Sequence, residues 1–140
     1  MSTKDKVFVI VYRNSQNELK FLCLKPNPEP GRNTDYYVIT GGIRKNESQK
    51  EAVLREVEEE IGVIPDKIVN LHNEIKYQDH LTGKRFVEYC YAAKVETRVL
   101  KLNEEHVSYM WADAANFIKL IWWDEDKTKL QKMVETILND

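Results

Sequence analysis

The sequence is poor in the features that mark secreted and membrane proteins. Its 140 residues include two cysteines, five glycines and four prolines. The longest early apolar run, residues 7–12, is too short to cross a bilayer, and no small-residue cleavage site follows it. Cys23 and Cys90 lie in apolar stretches without the spacing of metal ligands. We therefore expect two buried thiols in a reducing compartment, and a cytoplasmic protein.

An excess of charge of one sign is also missing. The chain has 21 Lys and Arg against 23 Asp and Glu, a formal net charge of −2. A general nucleic-acid binder needs a basic excess to neutralise phosphates, so we expect no nucleic-acid polymer as a partner. The hydrophobic share of 42% and the charged share of 31% are typical of a globular protein. The length fits one domain over residues 1–140.

The pattern along the chain alternates strands with helices. Two aliphatic runs, 7–12 and 19–24, flank a polar turn and predict a hairpin. Three prolines within residues 26–33 predict a surface loop. We predict further strands at 36–40, 68–76 and 85–95, and helices at 47–61, 112–120 and around 130–138. The helix at 47–61 has two possible capping boxes, Asn46 with Gln49 and Ser48 with Glu51.

Three glutamates of the helix at 47–61 share one face. At 100° per residue, Glu59 and Glu60 project within about 60° of Glu56 on either side. Like charges at these spacings destabilise a helix by roughly 0.2–0.5 kcal/mol per pair. A divalent cation offsets such repulsion, and Mg²⁺ binds carboxylates together with substrate phosphates. The cluster therefore suggests Mg²⁺, with Mn²⁺ as a substitute, and a diphosphate-bearing substrate, against the alternative of a solvated acidic face.

The segment from Gly41 to Val63 resembles the Nudix box. In that pattern a Gly is followed after five residues by Glu, and after seven more by Arg-Glu-aliphatic-x-Glu-Glu-x-Gly-aliphatic. The matching residues are Gly41, Glu47, Arg55, Glu56, Val57, Glu59, Glu60, Gly62 and Val63. A chance match to all of these positions is on the order of 10⁻⁷ at typical residue frequencies. The resemblance is therefore highly specific, and it is preferred over the solvated acidic face.

The resemblance to Nudix hydrolases implies a fold, a reaction and a set of site residues. The fold is an α/β/α sandwich with a mixed central sheet, and the reaction is hydrolysis of a nucleoside diphosphate linked to a further group X. Matching the box implies metal ligation by the Gly41 carbonyl, Glu56, Glu59 and Glu60, with Glu56 and Glu59 as catalytic residues, and orientation of these glutamates by Arg55 paired with Glu47. Glu47 also projects about 180° from Glu56, which argues against direct metal binding by Glu47.

A second motif gives an indication of the substrate. Glu105-His106-x-x-Tyr109-x-Trp111 resembles a segment of diadenosine tetraphosphate hydrolases and of the branch that hydrolyses dATP or dihydroneopterin triphosphate. It makes Glu105 a candidate metal ligand or catalytic base. Tyr109 is a candidate for substrate stacking or phosphate contact, with plain core packing equally expected. Thr-Gly at positions 40 and 41, where the tetraphosphate hydrolases usually carry Pro-Lys-Gly, favours a triphosphate substrate.

Further substrate contacts are predicted from residue type and position. Lys25 and Arg32 flank or lie in the proline loop and are candidates for phosphate binding, while Tyr37 is a candidate aromatic contact. The adjacent Trp122 and Trp123 are expected either to cap a base or to anchor the last helix.

The expected reaction converts a (deoxy)nucleoside or pterin triphosphate to the monophosphate and pyrophosphate. The first alternative is asymmetric hydrolysis of diadenosine tetraphosphate, and a broad-specificity activity on several nucleotides is a further option. A catalytically silent nucleotide-binding module is less favoured, because all the box glutamates are present. We expect a monomer or homodimer with a small-molecule nucleotide substrate.

Overall fold

The computed structural model describes residues 3–28, 35–124 and 126–140. These residues form a six-stranded sheet and three helices. The strands are β1 Thr3–Ser15, β2 Glu18–Pro26, β3 Ile39–Gly42, β4 Lys67–Gln78, β5 Arg85–Lys94 and β6 His106–Ala112. The helices are α1 Gln49–Ile61, α2 Ala114–Leu120 and α3 Thr128–Leu138. No helix among these described residues is long and apolar enough to cross a membrane.

The sheet is mixed and has β1 at its centre. The strand order is β4-β5-β1-β2-β6, and β3 also pairs with β1. β1 runs parallel to β5 and antiparallel to β2 and β3. The predicted hairpin of β1 and β2 is confirmed, and it turns at Gln16 and Asn17, which both have positive φ as a tight two-residue hairpin turn requires.

Helices cover both faces of the sheet, which confirms the predicted α/β/α sandwich. Val7, Val9 and Val11 of β1 belong to a core cluster with α1, which contributes Ala52, Val53, Val57 and Ile61. The alternate β1 residues, Phe8, Ile10 and Tyr12, belong to a second cluster with α2 and α3. Side chains of a strand point alternately to the two faces, so the run from Val7 to Tyr12, which is apolar at every position, lies between two layers.

Helix α1 has defined ends. Ser48 is the N-cap and forms the capping box with Glu51, so the second of the two predicted starts is the one used. Gly62 ends the helix in the left-handed conformation at φ 68°, which glycine adopts without a Cβ penalty. The two caps fix the ends of α1, and its buried apolar stripe fixes the rotation of the helix and so the direction in which its glutamates point.

The third strand differs from its prediction. It starts at Ile39 instead of residue 36, and both glycines lie inside it, because Gly41 and Gly42 pair with Val7 and Lys6 of β1. Tyr36 and Tyr37 form only isolated bridges, to Ile121 and Leu24 respectively. The loop between β3 and α1, which we call the box loop, therefore begins after Gly42, directly beside α1.

Candidate active site

Gly41 places the end of β3 against the α1 carboxylates. A Cβ at position 41 would lie 2.1 Å from Cδ of Glu56 and 2.2 Å from its Oε1. Real side chains do not approach so closely, so the glycine is required for this contact. The backbone of Gly41 and the carboxylate of Glu56 thus lie in direct contact.

Arg55 connects the box loop to the α1 carboxylates. Its Nε and Nη2 donate to the two carboxylate oxygens of Glu47 at 2.8 and 2.9 Å. Its Nη1 donates to Oε1 of Glu56 at 2.6 Å, and Nη2 also donates to the Gly42 carbonyl at 2.8 Å. The hydrogen bond from Arg55 is the largest cause that lowers the pKa of Glu47 to about 2. Glu47 therefore stays ionised and keeps the guanidinium in place.

Glu60 is the most buried of the three carboxylates. Its side chain is 3% exposed, and Oε1 lies 2.8 Å from Nε2 of His106 on β6. Among the described residues its Oε2 has no hydrogen-bond partner. Burial, followed by the nearby carboxylates of Glu56, Glu105 and Glu59, raises the pKa of Glu60 far above its usual range. A cation at this point would oppose that shift, because it favours the ionised carboxylate.

A cleft of about 310 Å³ opens at these carboxylates. It is lined by Asn27, Tyr37, Val38, Thr40, Glu60, Glu104, Glu105 and His106. The Asn27 backbone N–H donates to the Glu105 carbonyl at 3.0 Å, and the Asn27 side chain donates to the Glu104 carbonyl. The end of β2 therefore holds the segment that carries Glu105.

These residues fit a hard divalent cation. Glu60, Glu105 and His106 offer ligand atoms that all lie within 4.8 Å of one another. The unpartnered Oε2 of Glu60 and the close approach of Glu56 to Gly41 add further oxygen atoms. Oxygen-rich donor sets of this kind suit Mg²⁺ and Mn²⁺.

The structure brings most, but not all, of the predicted site residues together. Gly41, Glu47, Arg55, Glu56 and Glu60 form one network. Glu59 lies at the border of this network. Its side chain is 46% exposed, and its Oε2 lies 3.4 Å from Nη1 of Arg55. Glu105 and Tyr37 line the cleft.

Two predicted substrate contacts lie elsewhere, and a third falls outside the described residues. Lys25 places its Nζ 4.9 Å from the centre of the Tyr36 ring and does not line the cleft. The Tyr109 hydroxyl accepts a hydrogen bond from the Leu100 backbone N–H at 3.1 Å, and its ring packs against the α1 core cluster. Arg32 lies outside the described residues.

One cleft residue, His106, was not among the predicted contacts, and the roles of Trp122 and Trp123 were left open. His106 was noted only as part of a motif, although it lies against Glu60. The two adjacent tryptophans differ in burial and in the aromatic ring that each contacts. Trp123 packs edge-on against Phe8 in the core, whereas Trp122 is 42% exposed and stacks on Tyr37 with ring centres 5.9 Å apart.

The α/β/α sandwich, the helix α1 and its carboxylate cluster together define a class of enzymes. This class is the Nudix hydrolases, which act on phosphoanhydride bonds. The chain belongs to the Nudix family: the family model of the NUDIX domain matches residues 3–132. No curated protein matches the chain.

Several solved structures share the fold. A C. elegans Ap4A hydrolase in a binary complex has a TM-score of 0.80 at 20% identity, covering 98% of this chain and 99% of that one. The E. coli dihydroneopterin triphosphate pyrophosphohydrolase has a TM-score of 0.74 at 19% identity over 100% of both chains. The NUDIX domain of Shewanella oneidensis NrtR, complexed with ADP ribose, has a TM-score of 0.74 at 18% identity, covering 99% of this chain and 90% of that one. At these identities, the likeness establishes the fold.

The two adjacent glycines offer a matched test of the contact with Glu56. Gly41→Ala should lower turnover about 10²-fold, because the new methyl group displaces the Glu56 carboxylate and misplacing a catalytic group by about 1 Å has an effect of this size. Gly42→Ala should keep turnover within a few-fold, since a Cβ there meets nothing within 4 Å. Steady-state kinetics of both variants measures the difference, and equal activity of the two would contradict the proposed role of Gly41.

Proposed function

We propose that this chain is a Mg²⁺-dependent pyrophosphohydrolase that converts a (deoxy)nucleoside or pterin triphosphate to the monophosphate and pyrophosphate. The observation that carries the proposal is the 310 Å³ cleft, whose lining contains both carboxylates and the aromatic side chain of Tyr37. Such a cleft accommodates both ends of the substrate: the metal-bound phosphates at the acidic wall and the heterocycle at the aromatic one. We further propose that one Nudix domain accounts for residues 1–140.

The residues of the box would bind the metal and fix the direction of its carboxylate ligands. In this proposal the ligands are the Gly41 carbonyl and the carboxylates of Glu56, Glu59 and Glu60, with Mn²⁺ as a possible replacement for Mg²⁺. When bound, the cation neutralises phosphate oxygens and lowers the pKa of a coordinated water. Arg55 fixes the direction of the Glu56 carboxylate, and Glu47 in turn fixes Arg55 by two hydrogen bonds.

Glu105 is our candidate for the base that accepts the proton of the attacking water. It lines the cleft beside Glu60, and its carboxylate accepts a hydrogen bond from the Asn103 side chain at 3.0 Å. Glu56 is the alternative base. A general base of this kind contributes roughly 10²–10⁴-fold to a rate.

The aromatic wall is our candidate for heterocycle binding. Tyr37 lines the cleft, and Trp122 stacks on it from the solvent side with an interplanar angle of 26°. Tyr109, held by its bond to Leu100, would act indirectly by supporting the core beneath the site. Lys25 and Arg32 stay predictions as phosphate contacts.

The choice of a triphosphate rests on sequence and position together. Thr40 lines the cleft directly before Gly41, in the place where tetraphosphate hydrolases usually carry proline. The E. coli neighbour, which shares the fold, is a pyrophosphohydrolase of dihydroneopterin triphosphate. Both points support the same branch of the family.

Product analysis tests the proposal. The purified protein is incubated with Mg²⁺ and each of dATP, the other nucleoside triphosphates, dihydroneopterin triphosphate, diadenosine tetraphosphate and ADP-ribose. We expect pyrophosphate and a monophosphate from at least one triphosphate, and no turnover when EDTA removes the metal. Absence of turnover with every substrate would instead support a silent nucleotide-binding module.

Asymmetric hydrolysis of diadenosine tetraphosphate is the second candidate function. The motif from Glu105 to Trp111 favours it, as does the C. elegans Ap4A hydrolase among the structures that share the fold. Release of ATP and AMP, without pyrophosphate, would identify this activity. For either activity we propose a cytoplasmic monomer or homodimer that acts on a small-molecule nucleotide.

A further inference from the structure

A second and larger cleft, of about 560 Å³, borders the loop that follows Gly42, and we call it the basic cleft. The start of β1, the loop after β3 and the start of β5 form its walls. Its charged lining residues are Lys4, Asp5, Lys6, Arg44, Lys45, Glu47 and Lys84. Cations dominate this lining although the whole chain carries a net charge of −2.

Several of these charges already have partners. Glu47 is held by Arg55, and Arg44 places its Nη2 3.4 Å from Oε1 of Glu59. Lys6 lies 3.7 Å from Oε2 of the buried Glu88 and 3.3 Å from the Tyr77 hydroxyl. These groups therefore add little net charge to the cleft.

The ammonium groups of Lys4, Lys45 and Lys84 have no ion pair or hydrogen bond within the described part of the chain. Opposite these three cations the lining holds one further carboxylate, that of Asp5. The lysines come from three separate segments, and the sheet brings them to one concave surface. Lysine is a common partner of phosphate groups, so the cleft has the charge and the donors for a phosphate chain.

The basic cleft adjoins the catalytic carboxylates. The residues of its wall are also those that organise the site: the Gly42 carbonyl accepts from Arg55, and Arg44 contacts Glu59. The cleft of the carboxylates, in contrast, is lined by Glu60, Glu104 and Glu105. Phosphates that are not bound to metal are repelled by that acidic lining and attracted by the basic one.

We propose that the basic cleft binds the phosphates of the substrate that lie beyond the cleaved bond, and that Lys4 and Lys84 are specificity-determining residues for the length of the phosphate chain. The inference rests on the proposed function, since it divides one substrate between two clefts. It predicts a preference for substrates with a longer terminal phosphate chain, in the order triphosphate over diphosphate.

Binding of inorganic tripolyphosphate tests the cleft separately from catalysis. Titration calorimetry with EDTA present excludes metal-mediated binding at the glutamates, so any affinity must come from protein cations. We expect wild-type protein to bind tripolyphosphate, and the Lys4→Ala/Lys84→Ala double variant to bind it more weakly by about tenfold for each lysine removed. Raising the salt concentration should weaken the binding further. A matched control is Lys119→Ala/Lys132→Ala, which removes two exposed lysines outside the cleft lining and should bind as wild type does.

Kinetics then connects the cleft to the substrate. Tripolyphosphate should compete with the triphosphate substrate, and the Lys4/Lys84 double variant should raise KM for the triphosphate about tenfold more than KM for the corresponding diphosphate, with kcat little changed. Wild-type levels of tripolyphosphate binding in that variant, no binding in the wild type, or binding without competition would each overturn the inference. If tripolyphosphate binds through the lysines but no triphosphate is hydrolysed, the cleft is an anion site and the proposed function fails; turnover without such binding leaves the proposed function and removes the inference.

Discussion

Replacing Glu59 by glutamine should lower metal-dependent kcat/KM by about 10³-fold or more, because we propose that Glu59 is a charged ligand of the metal, and the loss of such a ligand removes several kcal/mol of transition-state stabilisation. The fold should survive. Glu59 is 46% exposed and its two ion pairs, to Arg44 and Arg55, are both at 3.4 Å. Exposed pairs of this kind contribute about 0–1 kcal/mol, so the free energy of unfolding should change little.

Glu58→Gln is the matched control for this experiment. Glu58 precedes Glu59 on the same helix, is exposed, and contributes no side chain to either cleft. Its substitution changes the net charge by the same amount and should leave turnover within a few-fold of wild type. Urea unfolding and steady-state kinetics in a Mg²⁺ series measure both variants. If Glu59→Gln kept more than a tenth of the wild-type activity, the assignment of Glu59 as a metal ligand would be wrong.

Local patterns were sufficient to predict the strands and helices of this chain, whereas the sandwich with its mixed sheet was predicted from the resemblance to the Nudix family. The sequence distinguishes the buried strand from the amphipathic helix. Every β1 position from Val7 to Tyr12 is apolar, while α1 has one narrow apolar stripe. The turn, the caps and the Gly62 stop are likewise local signals. The bounds of β3 were wrong because the pairing of Gly41 and Gly42 with β1 depends on a strand distant in sequence.

Contacts between the site residues were predictable from spacing only where those residues lie close together in the sequence. The box glutamates and Arg55 fall within one segment, and one helix fixes their relative positions. His106 contacts Glu60 across 46 residues, so no spacing rule indicates that pair. Lys4 and Lys84, taken singly, look like solvated charges, and only the strand order places them on one cleft.

Arg55→Ala should damage both stability and catalysis. The guanidinium is 17% exposed and bonds Glu47, Glu56 and the Gly42 carbonyl. Its removal leaves two largely buried carboxylates without their counter-charge, and breaking a buried pair in this way costs about 3–5 kcal/mol; partial exposure brings our expectation toward the lower end of that range. Turnover should fall about 10²-fold through misplacement of Glu56. Arg55→Lys should not rescue it, because one ammonium group cannot make the forked contacts.

The pH dependence of unfolding separates the loss of this network from a general loss of packing. Arg55 lowers the pKa of Glu47 from its ordinary value to about 2, so the ionised form is favoured by folding. A depressed pKa stabilises the native state above the unfolded-state pKa of about 4.3, and the stabilisation disappears as the pH falls toward 2. The wild type should therefore lose stability relative to Arg55→Ala across this window, and the two free energies of unfolding should converge at low pH. A difference that stayed constant from pH 6 to pH 2 would mean that Arg55 stabilises the fold by packing alone, and that Glu47 does not depend on it for its charge.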